Sequence, residues 1–240
     1  MLQAARLVAA ESRCEEFQQP SVTCIYCQVR PAVTADHVPP KSLFSPPYPT
    51  NLITVPSCPR CNASFQRDDD YFRATIVMRA DVAENDHALL ALDRTMRGLL
   101  RPEATGLRER FVRSLTKKNV WSRDGILLGQ AGAYEVENDR LSSTLSRVVR
   151  GLYYHETRSP LPLDIGLRVH IGFEDDKEMR EDALKMMVGR PITAIGPVFR
   201  YTWVQAPARP HLTCWILEFF ERVPFFAASV DLAAMAEKKG

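Results

Sequence analysis

Four cysteines of this 240-residue chain fall as two pairs, Cys24/Cys27 and Cys58/Cys61. Between the pairs stand Asp36-His37 and Asn51, and Asn62 follows the last thiol directly. Two residues between thiols let one short turn present both sulfurs to one ion. Two such turns complete a tetrahedral site with Zn–S distances of ~2.3 Å. Four thiolates saturate zinc, so a site of this kind is structural rather than catalytic. In a chain without an export signal, paired Cys-x-x-Cys spacings read as metal ligands before disulfides. Thirty residues separate Cys27 from Cys58, so zinc there ties off a long loop, and that loop carries the Asp-His pair. A carboxylate suits a hard divalent cation. A neutral imidazole is suited to take a proton from water near neutral pH. Adjacent side chains on a strand point to opposite faces. Asp36 and His37 therefore address one point only where the strand ends or bends, and Pro39-Pro40 directly after them favours such an ending.

In this order, Cys24-Ile-Tyr-Cys27, Asp36-His37-Val38-Pro39-Pro40, Asn51-Leu52 and Cys58-Pro59-Arg60-Cys61-Asn62 resemble the zinc-containing branch of the HNH endonucleases, within the ββα-metal nuclease superfamily. The resemblance covers about residues 21–70. It implies a two-stranded hairpin followed by a helix, with one divalent ion at their junction. It implies His37 as the general base that activates the attacking water, and Asp36 as a carboxylate ligand of the catalytic metal. Asn62 corresponds to the helix position that also binds that metal, and Asn51 to the central asparagine that pins the loop and orients the base. The implied cofactors are a structural zinc on Cys24, Cys27, Cys58 and Cys61 and a catalytic Mg²⁺ or Mn²⁺ on Asp36 and Asn62. One such ion would serve as Lewis acid and clamp on the phosphate. The chain departs from the family where a basic residue often stands three positions after the helix ligand, because Phe65 is there. The phosphate contact then falls to Arg60, Arg67 or Lys41. Asp68-Asp69-Asp70 would repel a phosphate backbone unless paired, and is read as a solvated helical face.

The surrounding elements must position these residues. Residues 3–17 read as a short amphipathic helix. Seven of the chain's 17 prolines lie between Pro39 and Pro59, which makes that stretch mostly loop. Strands are expected at Val33–Val38 and Asn51–Val55, and a helix from near Cys58 toward Ala80. Helices are expected over Ala83–Leu100 and Thr105–Leu115, and a glycine-containing hairpin over Ile126–Val136. Leu141, Leu145, Val148, Val149 and Leu152 lie at i, i+4, i+7, i+8 and i+11, one face of a helix capped by Asn138 or Asp139. Leu167–Phe173, Pro197–Val204 and Leu212–Phe226 have strand composition, the last broken near Arg222–Pro224, and Glu174–Val188 reads as a helix with an acidic start. The fold class expected is α+β. An N-terminal HNH-like module over residues 1–80 would precede a helical and then α+β region over 81–240 that binds substrate or a partner.

Hydrophobic residues are 45% and charged residues 25% of the chain, which excludes a disordered, collagen-like or coiled-coil chain. No run approaches the ~18 apolar residues of a membrane span, so no membrane partner is expected. Met1–Ala10 carries Arg6 and no long apolar run, and a cytoplasmic protein is expected. Net charge is only +2, yet nine Lys/Arg against three acids lie between Asp93 and Arg123. That stripe could meet a polyanion or be a solvated face. Cys14 and Cys214 read as small buried residues, and Trp121, Trp203 and Trp215 as core. His87, His155, His170 and His211 lack evident partners in sequence and read as structural. The resulting expectation is a metal-dependent endonuclease acting on nucleic acid, DNA before RNA. The alternatives are a non-catalytic zinc-stabilised module that binds nucleic acid or protein, and a scaffold in which the C-terminal region acts.

Overall fold

The computed structural model describes residues 22–122, 124–172 and 177–232. The N-terminal helix expected over 3–17, Cys14 and the tail from Ala233 lie outside them. The fold is mixed α+β. Strands β1 (Thr34–Val38) and β2 (Ile53–Ser57) form an antiparallel hairpin with His37 opposite Thr54 and Asp36 opposite Val55. Helix α1 (Pro59–Val77) follows at once. Pro59 sits at its first turn, where a missing N–H costs nothing. Cys58 caps it by accepting a hydrogen bond on Sγ from the Cys61 N–H at 3.5 Å. The loop between the strands turns away after Val38, as the two prolines there dictate, and includes a 3₁₀ turn at Lys41–Leu43.

Helices α2 (Asp86–Leu99) and α3 (Thr105–Ser114) come next. Asn85 caps α2 by accepting from the N–H groups of His87 and Ala88. The following hairpin differs from expectation. It pairs β3 (Thr116–Trp121) with β4 (Leu127–Ala133), so its turn precedes the expected range and the stretch expected to hold the whole hairpin is a single strand. Lys117-Lys118-Asn119 disfavours strand by composition, and pairing with β4 overrides it. Nearly every residue of this hairpin is exposed, Trp121 included, so that tryptophan is not core.

Helix α4 (Asn138–Thr157) buries the face read from its periodicity: Leu141, Leu145, Val148, Val149 and Leu152 are all at most 3% exposed. Its cap is Glu137 rather than Asn138 or Asp139, and Glu137 makes no side-chain cap bond. The Glu137 carboxylate accepts instead from Arg110 at 2.5 Å, while its N–H donates to the Tyr71 hydroxyl at 2.7 Å. The last third adds β5 (Ile165–His170), α5 (Lys177–Met187), β6 (Thr193–Ile195), β7 (Phe199–Ala206), β8 (Arg209–Phe219) and β9 (Val223–Asp231). The strands form one antiparallel sheet in the order β5-β9-β8-β7-β6. Alternation in β8 and β9 turns Trp215, Leu217, Phe219, Val223, Phe225 and Ala227 inward. Phe72 of α1 packs on Phe219 and Phe225 with ring centroids 5.2 and 6.1 Å apart, and Trp203 stacks on buried Trp215.

One apolar cluster therefore runs from Ile25 and Val38 through α1 and α4 to Phe225 and Ala227, across residue 80. Helix α4 is its centre, touching both hairpin strands and the sheet. Gly151 lets it approach the hairpin, because a Cβ there would stand 2.4 Å from Val38 Cγ2. Among the described residues no helix is long and apolar enough to cross a membrane.

Candidate functional site

The two thiol pairs converge as their spacing predicts. Cys24, Cys27, Cys58 and Cys61 place their sulfurs within 4.8 Å of one another, with no disulfide among them. Tetrahedral zinc with bonds of ~2.3 Å needs sulfurs about 3.8 Å apart. Cys27 Sγ and Cys58 Sγ are already 4.0 Å apart, so the four thiols can hold one zinc. The surroundings of Cys27 and Cys58 favour thiolate. Backbone hydrogen bonds from Val29 and Arg30 pull the Cys27 thiol down to about 6. The Cys61 N–H lowers Cys58. The Arg30 guanidinium lies against Cys58 and Cys27, offsetting the negative charge that gathers there. Burial raises Cys61 in the metal-free state, and binding a cation would reverse that.

Asp36 and His37 occupy adjacent positions of β1 and divide between its faces. Asp36 is 6% exposed and turns inward. Its Oδ2 accepts from the Tyr26 hydroxyl at 2.6 Å and from Arg147 Nη1 at 2.5 Å. Arg147, on α4 and itself 4% exposed, donates its other Nη to Asp69 on α1 and stacks over the Phe65 ring at 4.7 Å. Tyr26 packs edge-on against the same ring. Phe65, which stands where the resemblance leads one to expect a basic residue, is thus the apolar wall of a buried ionic cluster. Burial disfavours charge on Arg147, but Asp36 and Asp69 outweigh it and raise its pKa. Burial, then Asp36, push the Tyr26 phenol well above its ordinary value, so it remains a donor. Burial also pushes Asp69 up to about 7 despite the guanidinium. Oδ1 of Asp36 makes no hydrogen bond among the described residues.

The acidic run on α1 is not the solvated face expected of it. Asp68 pairs with Arg140, Asp69 with Arg147, and Asp70 with Arg73. Two of those arginines belong to α4, some 70–80 residues further along the chain, and no local signal announces them.

His37 is half-buried and shares the outer face of β1 with Ala35. Its imidazole makes no hydrogen bond among the described residues. Burial and the nearby Lys41 lower its pKa, with Asp36 opposing, so the ring is neutral at pH 7. Asn62, in the first turn of α1, donates Nδ2 to the Ala35 carbonyl at 3.4 Å and leaves its Oδ1 without a partner. Asn62 therefore reaches β1 one residue before Asp36. Asn51 does not join them. Its Nδ2 donates to the Ala194 carbonyl of β6 at 2.8 Å, anchoring the loop to the far sheet rather than to the hairpin. Gly196 accommodates the same contact, since a Cβ there would meet Pro49 Cγ at 2.4 Å.

A groove of about 490 Å³ opens beside Asn62, lined also by Thr34, Lys41, Gln66, Asp69 and Asp70. The expected basic stripe is broken up in three dimensions. Arg97 pairs with Asp93 and Arg113 with Glu109. Arg94 turns inward to donate to the Ser42 and Phe44 carbonyls at 3.0 and 2.6 Å. Compared with known proteins, the chain matches no family model, no curated protein and no solved structure.

Proposed function

We propose that the protein is a metal-dependent phosphodiesterase acting on nucleic acid, with His37 as the general base. The observation that carries this reading is the state of His37. Buried polar side chains in folded proteins are nearly always hydrogen-bonded. This imidazole is half-buried, neutral and without a hydrogen-bond partner among the described residues, and it follows Asp36 on a strand that a four-thiol site holds against α1. A ring free on both nitrogens can take the proton of an attacking water.

The divalent ion that the resemblance to the HNH endonucleases implies needs oxygen ligands. Asp36 Oδ1 and Asn62 Oδ1 are both without hydrogen-bond partners, and Asn62 on α1 reaches β1 one residue before Asp36, so these are the oxygens such an ion would draw on. Those two oxygens would hold Mg²⁺ or Mn²⁺, which would neutralise charge on the phosphate and the leaving oxygen. In-line displacement puts the attacking and leaving oxygens on opposite sides of phosphorus. Asp36 and His37 lie on opposite faces of β1, within the paired part of the strand, so their joint action on one phosphate would need it to reach round the strand. The thiol site keeps the hairpin and α1 in fixed relation, the support such a site requires.

One observation favours a second reading. Arg147 already neutralises Asp36, and a guanidinium beside the carboxylate weakens its hold on a second cation. On that reading the module binds without cutting. Cleavage of supercoiled plasmid by zinc-loaded protein decides between the two, with Mg²⁺, with Mn²⁺ or with neither. Nicking that needs added metal and disappears in zinc-loaded His37→Ala supports hydrolysis. It should persist into mild acid and fall as His37 protonates, at a pH below the ordinary histidine value of ~6.5. No cleavage by folded, zinc-loaded wild type overturns hydrolysis in favour of binding alone.

A further inference from the structure

A second and larger cleft, about 1060 Å³, adjoins the groove beside Asn62, and Ser42, Gln66 and Asp70 line both. Its walls come from α1, α2, α3, the 3₁₀ turn before α3 and the first turn of α4. Six arginines line it, Arg67, Arg73, Arg94, Arg101, Arg110 and Arg140, against three acids, Asp68, Asp70 and Glu103. Only Arg94, Arg101 and Arg110 belong to the stripe visible in sequence; the other three are brought in by α1 and α4. Ion pairs with Asp70, Asp68 and Glu137 fix the heads of Arg73, Arg140 and Arg110. Arg67 and Arg101 are exposed and make no side-chain bond among the described residues. No aromatic side chain lines the cleft, so it has nothing on which to stack a base.

We infer that this arginine-lined cleft is the nucleic-acid track of the protein, gripping the phosphodiester backbone beside the Asn62 groove without reading bases. The inference rests on the proposed phosphodiesterase activity for its direction, since the strand would run from the cleft into the groove. Guanidinium forks match phosphate oxygens in pairs; those of Arg67 and Arg101 are open for it, while Arg73, Arg94, Arg110 and Arg140 are held by carboxylates and carbonyls around them. Charge alone identifies a polyanion. Continuity with the groove lined by Asn62 and by Thr34, which shares β1 with Asp36 and His37, is what selects nucleic acid over an acidic protein.

The test measures binding of a fluorescein-labelled 20-nucleotide DNA strand, and of its duplex, by anisotropy across salt concentrations in buffer without divalent metal. It compares zinc-loaded wild type, Arg67→Gln/Arg101→Gln and, as a charge-matched control outside the cleft, Arg97→Gln/Arg113→Gln. Removing one cation that neutralises a phosphate flattens the log–log salt slope by about 0.9 on duplex and about 0.7 on single strands. The cleft variant should therefore lose about 1.8 of slope on duplex, which is about twelvefold of its salt sensitivity between 50 and 200 mM. The control should match wild type. Equal effects of the two variants, or none from either, overturn the inference. So does displacement of the DNA by polyglutamate at an equal concentration of charges. Cleavage run in parallel separates the two proposals. Binding that weakens in the cleft variant, without cleavage by wild type, keeps the track and removes the hydrolysis. Cleavage by the cleft variant with unchanged KM and kcat does the reverse.

Discussion

Arg147→Met removes the one cation from a cluster that holds two carboxylates and a phenol away from water. Arg147, Asp36 and Asp69 have side chains 4%, 8% and 19% exposed, so solvent cannot replace the lost charge. Methionine matches the length of the stem and keeps contact with Phe65. The loss therefore reports the charge and its hydrogen bonds rather than a cavity. Breaking a buried pair by removing one partner costs about 3–5 kcal/mol, because the other partner stays buried and charged. The Tyr26 hydroxyl still serves Asp36, which argues for the lower half of that range. In a chain of this size each kcal/mol moves Tm by about 2–4 °C, so a loss of about 3–4 kcal/mol should lower the melting point by about 6–16 °C. The assay is thermal denaturation of zinc-loaded protein at pH 8, above the titration of Asp69. Adding Asp36→Asn and Asp69→Asn to Arg147→Met should recover at least half of the loss, since neutral amides need no counter-charge. A loss below about 1 kcal/mol, the size typical of an exposed pair, would refute the buried-cluster argument. A triple variant no more stable than the single would refute it equally.

Asp69→Asn should remove a pH dependence. The Asp69 carboxyl is raised to about 7 in the folded protein, above its unfolded value of ~3.9. The folded state then holds an extra proton between about pH 4 and 7, and wild-type stability falls as pH rises through that window. In the asparagine variant the slope of Tm against pH over that range should flatten; an unchanged slope assigns it to another group. Cys27→Ser should leave less than one zinc per chain by elemental analysis, where wild type holds about one. If zinc is present at about a thousand times its Kd, removing it costs about 4 kcal/mol. Chelation should then lower the wild-type Tm by about 8–16 °C at about 2–4 °C per kcal/mol, and leave the Cys27→Ser Tm unmoved.

What the sequence announced was what lies close along the chain. Two-residue spacings placed the thiols, Pro59 and Cys58 marked the start of α1, and a 3.6-residue period marked the buried face of α4. Each is a local signal whose physics acts within a turn or two. The ionic cluster was illegible because its cation comes from Arg147, 111 residues after Asp36. An arginine on a helix is ordinarily solvated, and only the burial of its neighbours makes it structural. The same distance hid Asn51, whose partner is a backbone carbonyl 143 residues away, and a carbonyl has no signature in sequence. The hairpin β3–β4 was misplaced for a different reason. Its lysines describe an exposed surface and say nothing about pairing, which long-range registry decides.

The anchoring of the loop between β1 and β2 carries a consequence for the order in which the protein matures. Every residue the HNH resemblance draws on has been synthesised once Asn62 is added. Yet Ser42 and Phe44 wait for Arg94, Asp36 for Arg147, Gln28 for the Leu161 carbonyl and Asn51 for Ala194. A chain ending at residue 80 would contain all four thiols and leave its inward carboxylate without a counter-charge. Hydrolytic competence on the proposed reading would therefore arrive only after most of the chain is made.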